Sequence, residues 1–137
     1  MADSLSVHEA LIWVMVTTSA SDHAMSAREL DLIGGIVAGL PAFEGFSGPV
    51  GPIADACVAH LADTDGLDAI LDRVAAALTP ALRETAYALA VEVAAIDGMA
   101  RQNELAFLEM IADRFDLQKL TVGAIEFSAR VRYRRAS

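Results

Sequence analysis

Apolar residues recur at every third or fourth position over several stretches of this chain, separated by short polar, glycine-rich or proline-rich segments. That spacing is typical of amphipathic α-helices, which bury one face. Alanine and leucine dominate the apolar positions and β-branched runs are scarce, which also favours helices over strands. The sequence therefore predicts an all-α fold, a single-domain bundle of about seven helices over residues 1–137.

The ends of several helices are marked by capping and breaking residues. Ser26 and Glu29 have the S-x-x-E spacing of a capping box, which satisfies two backbone N–H groups at a helix start. Three prolines and three glycines fall within Pro41–Pro52, so this segment is predicted to be a loop. The predicted helices are about Ser6–Ser19, Ala27–Gly39, Ile53–Leu61, Leu67–Leu78, Pro80–Ile96, Gln102–Phe115, and a last one from Lys119 into the tail.

The two ends of the chain match each other at a constant offset of 75 residues. Residues 8–40 and 83–115 are therefore predicted to be copies of one helix–turn–helix unit, packed about a pseudo-twofold axis. In each copy an Asp is followed seven residues later by a Glu and then a Leu. The matched pairs are Glu9/Glu84, Ala20/Ala95, Asp22/Asp97, Glu29/Glu104, Leu30/Leu105 and Ile36/Ile111.

The turn of the second copy has a recognisable sequence. The run from Ala94 to Leu105 reads A-A-I-D-G-M-A-R-Q-N-E-L. It resembles the tellurite-resistance TerB-like family, whose signature is an A-x-x-D-G turn with a Glu seven residues after the Asp. The resemblance extends over essentially the whole chain. It implies an all-helical fold with the motif in both halves, and a role in metal or envelope stress.

Two features depart from the family pattern. His23 stands where the first copy would usually have Gly, and Arg101 and Asn103 replace a small capping residue and an acidic neighbour. The family includes the N-terminal domain of a membrane-anchored DnaJ-type co-chaperone, but this chain has no His-Pro-Asp tripeptide. Co-chaperone activity therefore does not carry over to it.

The paired carboxylates at the two turns are the candidate metal ligands. Two carboxylates, turn carbonyls and water suit a hard cation, so Ca²⁺ or Mg²⁺ is favoured over Zn²⁺. The alternative is structural, because Glu29 already has a capping role and an Asp can bond to its own turn. Arg101 cannot cap as Ser26 does, which favours the second pair. The candidates are, in order, Asp97, Glu104, Asp22 and Glu29.

Charge is distributed unevenly along the chain. The net charge is −9, yet the basic tail 130–137 holds four arginines and no acidic residue, which leaves −13 for the rest. An acidic body repels nucleic acid and anionic lipid, and attracts divalent cations or basic protein surfaces. The tail either touches anionic lipid or folds back on the acidic body, and the small size of the patch favours the second.

Other polar clusters are interpreted as structural. Asp68 and Asp72 share a helix face, where a cation would relieve their repulsion, but with Asp63 and Asp65 they are expected to form a solvated face. Cys57 and His60 lie one helical turn apart, yet no second Cys accompanies them, so a buried Cys and a partly exposed His are expected. Apolar pairs expected in the core are Trp13 with Met15 and Phe107 with Met110.

Several function classes lack support in the sequence. No nucleophile–base signature is present, and the segment Gly45–Gly51 lacks the Lys-Ser/Thr ending of a phosphate-binding loop. No apolar stretch reaches the roughly 18 residues needed to cross a bilayer. The N-terminus has no basic leader region and Cys57 is the only cysteine, which fits a cytoplasmic protein.

The TerB-like resemblance implies a role in a tellurite, metal or envelope stress response, and with the other observations it predicts a non-enzymatic domain for which divalent-cation binding is the first hypothesis. The alternative is an acidic docking scaffold without a specific metal site, for a basic protein or a cytoplasmic loop of a membrane protein. In both cases the expected partner is a protein, with no nucleic acid and no membrane insertion. The sequence leaves a homodimer open.

Overall fold

A computed structural model describes residues 4–20, 25–96 and 102–136, without the side chains of residues 102–104. In these ranges the chain forms seven α-helices, one short 3₁₀ helix and no strand, which confirms the all-α prediction. The helices are α1 (Val7–Ser19), α2 (Ala27–Gly39), α3 (Val50–Leu61), α4 (Gly66–Ala77), α5 (Pro80–Ile96), α6 (Gln102–Arg114) and α7 (Lys119–Arg132), and the 3₁₀ helix is Pro41–Phe43.

Helix α1 is the centre of the bundle. Every residue from Ala10 to Ala20 is buried, and α1 packs against α2, α3, α4, α5 and α6. Its sequence is apolar on all sides over Ala10–Val16, which is the composition expected of a helix surrounded by others. The hydroxyl of Thr18 is satisfied within the helix, since it donates to the Val14 carbonyl at 2.8 Å.

The outer helices differ in how deeply they are buried. Helix α6 contributes Phe107, Leu108 and Ile111 to the core, whereas only Ile33 of α2 is fully buried. Helix α7 packs on α5 and places Ala129 in the core. Helices α2 and α7 are therefore the least enclosed parts of the bundle and determine where an open surface forms.

Two predicted boundaries were wrong. The Pro41–Pro52 segment is not a continuous loop, because Pro41–Phe43 forms a 3₁₀ turn and α3 already begins at Val50. Pro52 lies in the first turn of α3, where a backbone N–H has no partner within the helix and a proline is tolerated.

Helix α2 and helix α6 begin and end 75 residues apart, matching the offset of the repeat, whereas α5 begins 73 residues after α1.

The predicted core residues are mostly confirmed. Trp13, Met15 and Phe107 are buried, and the indole N–H of Trp13 donates to the Ile53 carbonyl at 3.2 Å. Met110 was predicted to join them, but it is 37% exposed. It follows Phe107 by three positions on α6, beyond the edge of the face that packs on the core.

Candidate functional site

Three of the four predicted cation ligands cannot be placed. Asp22 and Asp97 lie outside the described residues, and so does the side chain of Glu104. Glu29 is described, and its Oε1 accepts the backbone N–H of Ser26 at 2.9 Å while Ser26 Oγ accepts the N–H of Glu29 at 3.1 Å. The predicted capping box is thus confirmed. In the described ranges, no group of three or more His, Cys, Asp or Glu side chains could hold a metal ion.

A second capping box of the same kind starts α1. Glu9 Oε1 accepts the N–H of Ser6 at 2.9 Å, and Ser6 Oγ accepts the N–H of Glu9 at 3.0 Å. The S-x-x-E signal that marked Ser26 is present here too, so the sequence could have revealed it. A Glu at the third position of a helix is therefore a structural device in this protein at both described sites.

The carboxylates of Asp68 and Asp72 are paired with the positively charged side chain of Arg114. The guanidinium of Arg114, on α6, lies 2.8 Å from Asp68 Oδ1 and 2.9 Å from Asp72 Oδ1. It relieves the repulsion between two like charges on one face of α4. This pair of carboxylates is an anchor for α6 rather than an empty cation site.

Cys57 and His60 point into different surroundings. The Cys57 thiol is buried, lies 3.4 Å from the Thr17 hydroxyl and donates to the Trp13 carbonyl at 3.7 Å. Burial raises the pKa of this thiol to about 11, although the hydrogen bond with Thr17 acts to lower it. His60 is exposed, and its ring lies 5.4 Å from the Trp13 ring. The expectation of a buried Cys and a partly exposed His is confirmed.

An apolar groove of about 680 Å³ lies between α2, α5 and α7. Small residues form much of its lining, namely Gly35 and Gly39 from α2, Ala88 from α5, and Ala124 and Ser128 from α7. Leu40 and Ile36 add larger apolar surface on the α2 side. We call this feature the α2–α5–α7 groove.

Polar groups at the rim of the groove hold α7 on α5. Arg132 Nη2 donates to Glu92 Oε1 at 2.8 Å, and the Tyr133 hydroxyl donates to Glu92 Oε2 at 2.5 Å. Burial acts to raise the pKa of Glu92, but these hydrogen bonds and the charge of Arg132 lower it overall. The expectation that the tail folds back on the acidic body is thus met by Arg132.

A second contact fastens the middle of α7. The Tyr87 hydroxyl, on α5, donates to Glu126 Oε2. Burial, followed by the hydrogen bond and negative charge of Glu126, raises the pKa of Tyr87, so the phenol stays protonated. With Glu92 this makes two carboxylate contacts between the helices, and α7 forms a fixed wall of the groove.

A scan against protein-family models gave no match, and searches of the curated proteins and of the solved structures gave none either. The TerB-like resemblance therefore stays a prediction, and the site must be interpreted from its own chemistry. No helix in the described part of the chain is long and apolar enough to cross a membrane.

Sequence reasoning did not find the α2–α5–α7 groove. The sequence gives no sign of it: Leu40, directly after α2, continues the apolar spacing of Leu30, Ile33 and Val37, yet it is 37% exposed rather than buried. Its counterpart at the offset of 75, Phe115, is 3% exposed. The two copies thus differ in the burial of this position, because no neighbouring helix in the described ranges covers the end of α2.

Proposed function

We propose that this chain is a non-enzymatic, TerB-like docking domain that binds an amphipathic helix of a partner protein in the α2–α5–α7 groove. The observation that carries the proposal is an open apolar groove of about 680 Å³ lined by glycine, alanine and serine. Concave, mostly apolar pockets of about 300–1,000 Å³ are the usual form of binding sites in proteins. Binding of an amphipathic helix in an apolar groove is a recurrent mode of protein recognition.

The small residues favour a helix over a flat surface or an extended strand. A helix can approach closely where Gly35, Gly39 and Ala88 line the groove, because no long side chain holds its backbone away. Helix α2 has 13 residues, so it is about 20 Å long and matches a partner helix of three to four turns. Large apolar side chains of that helix would then occupy the groove.

The acidic charge is proposed to select the partner rather than to form the contact itself. With a net charge of −9, the protein attracts a helix with basic residues flanking its apolar stripe and increases its association rate. The proposal therefore keeps one part of the acidic docking scaffold predicted from the sequence, namely the attraction of a basic partner. The apolar groove supplies affinity, and the net negative charge of the protein supplies steering.

The test uses a fluorescent, uncharged amphipathic peptide of Leu, Ala and Gln, followed by anisotropy. Gly35→Leu fills the groove and should weaken peptide binding about tenfold or more, because the peptide and the new side chain compete for one volume. Gly51→Leu is the matched control, since an added Cβ has open space at both glycines and Gly51 does not line the groove. Equal affinity of the two variants would refute docking in the groove.

We propose divalent-cation binding at the two interhelical turns as a second candidate. One supporting observation is that α2 and α6 share their bounds at the offset of 75, so Glu29 and Glu104 are third residues of equivalent helices. Another is the buried hydroxyl of Ser19, which has no hydrogen-bond partner in the described part of the chain and precedes Asp22 by three residues. Oxygen donors of these kinds suit Ca²⁺ or Mg²⁺.

This candidate is tested by thermal unfolding of chelator-treated protein with added Ca²⁺, Mg²⁺, Mn²⁺ or Zn²⁺. A cation that binds only the folded state must raise the midpoint. Glu29→Gln retains the capping hydrogen bond, so a loss of the shift in this variant would report lost ligation rather than a lost cap. Asp97→Asn with Glu104→Gln tests the favoured pair. A shift reproduced by NaCl would be screening and would end the cation proposal.

A further inference from the structure

Helix α7 is apolar on two opposite faces. Its inner face packs on the core through Val122, Ile125 and the buried Ala129. Its outer face carries Leu120, Phe127 and Val131, which are 84%, 56% and 44% exposed. With the exposed Ala124 these residues recur at spacings of four, three and four, so they form one continuous stripe. We call this stripe the outward ridge.

The exposed charges on α7 and on the tail that follows it are all basic. Lys119, Arg130, Arg134 and Arg135 are exposed, in contrast to the acidic body. The only acidic residue from Lys119 to Ala136 is Glu126, and its carboxylate accepts a hydrogen bond from Tyr87 on the inner side. An exposed apolar stripe with flanking cations is the pattern of a helix that lies on an anionic membrane surface.

The shape of the outward ridge favours a bilayer over another protein as its binding partner. It is the convex back of a helix that already rests on α5, so a second rigid protein would meet it along a narrow line. A bilayer admits a convex apolar ridge between its headgroups without needing a matching groove. Two antiparallel copies of α7 would bring Lys119 of one copy near the arginines of the other, which disfavours a second copy.

We propose that the outward ridge of α7 binds this protein to an anionic phospholipid surface, with Leu120, Phe127 and Val131 inserted and the arginines at the headgroups. The acidic body then orients the molecule, because only the α7 side is attracted to a negative surface. The α2–α5–α7 groove shares only Ala124 with the outward ridge, and none of the three inserted side chains lines it, so this inference does not depend on the docking proposal.

The test is co-sedimentation of the full chain with vesicles of phosphatidylcholine alone and of phosphatidylcholine mixed equally with phosphatidylglycerol. The protein should sediment with the mixed vesicles at low salt, sediment poorly with neutral ones, and dissociate as salt rises. Leu120→Gln with Phe127→Gln should weaken binding about tenfold or more. Arg134→Gln with Arg135→Gln should weaken it roughly thirtyfold.

Leu105→Gln with Met110→Gln is the matched control, since it removes two exposed apolar side chains from α6 and should leave vesicle binding unchanged. Equal binding by the ridge variant and this control would overturn the proposal, as would equal binding to neutral vesicles. Absence of wild-type binding to the mixed vesicles at low salt would also overturn the membrane proposal. An acidic protein would then be the remaining candidate partner of the outward ridge. A dimer in light scattering that dissociates in the ridge variant would make the outward ridge a contact between copies instead.

Discussion

Arg132 Nη2 and Glu92 Oε1 lie 2.8 Å apart, and this pair joins the last turn of α7 to α5. The arginine side chain is 51% exposed and the glutamate side chain 23%, so water screens the pair on one side only. Both residues also line the α2–α5–α7 groove. Together with the Tyr87–Glu126 hydrogen bond, this contact therefore helps to fix the position of α7, and with it the width of the groove and the orientation of the outward ridge.

Glu92→Gln should reduce the acid sensitivity of the fold. Burial acts to raise the pKa of Glu92, but Arg132 and Tyr133 lower it below the ordinary value of 4.5 in the folded state. The unfolded chain takes up a proton first, so this stabilisation is present above about pH 4.5 and is lost as the pH falls through the lower, folded pKa. Urea unfolding at neutral pH and at successively lower pH measures the difference. Glu84→Gln, an exposed change on the same helix, should keep the wild-type pH dependence.

Gly66→Ala should be strongly destabilising. A Cβ at Gly66 would lie 2.0 Å from the His60 carbonyl oxygen, and backbone on both sides must shift to accommodate it. We expect a loss of at least about 2 kcal/mol in the free energy of unfolding. Gly34→Ala is the contrasting change, because an added Cβ there meets nothing within 4 Å. It should raise stability by up to ~1 kcal/mol, as alanine does in an open helical site. Denaturant titration of both variants checks the signs.

Arg114→Ala should lower stability modestly and in a salt-dependent way. The guanidinium holds Asp68 and Asp72 together, so its removal leaves two like charges one turn apart. The expected loss is about 1 kcal/mol at low salt, because all three side chains are partly exposed. High salt should shrink the loss, and adding Asp68→Asn to Arg114→Ala should recover part of it. A loss that salt leaves unchanged would point to packing of the arginine stem instead.

The Cys57 thiol should resist labelling until the protein unfolds. It is 0% exposed, and burial raises its pKa to about 11, so little thiolate forms near neutral pH. A chromogenic disulfide reagent should therefore react only at the rate of unfolding, and quickly once guanidinium is added. Rapid labelling of the native protein would mean that α1 and α3 separate readily at Thr17 and Cys57.

The helices were largely predictable because local signals define them. The apolar period, together with cues such as Ser26 and Pro80, located all seven. The loop prediction failed at Val50 because glycine and proline count against a helix, although neither is harmful in its first turn. That α1 is enclosed on every side was not predicted. A helix surrounded on every side has no polar face, and an amphipathic template cannot recognise it.

The candidate surfaces were not predictable in the same way. The α2–α5–α7 groove exists because α2 and α7 stand apart over α5, and that separation arises from packing rather than from any local pattern. Arg114 and Asp68 are 46 residues apart in the sequence. No local pattern could therefore predict that an arginine side chain, and not a metal ion, neutralises Asp68 and Asp72. Binding of a cation by Asp22, Asp97 and Glu104 stays a prediction.

The helix that the others surround is also made before them. During synthesis the apolar run of α1 leaves the ribosome before its partners α3, α4, α5 and α6, which lie later in the chain. At usual elongation rates of ~5–20 residues per second, α1 waits roughly 4–15 seconds before α5 is complete. For that interval Leu11, Ile12 and Trp13 have no native core to enter, so the nascent chain exposes an apolar segment that is prone to aggregation.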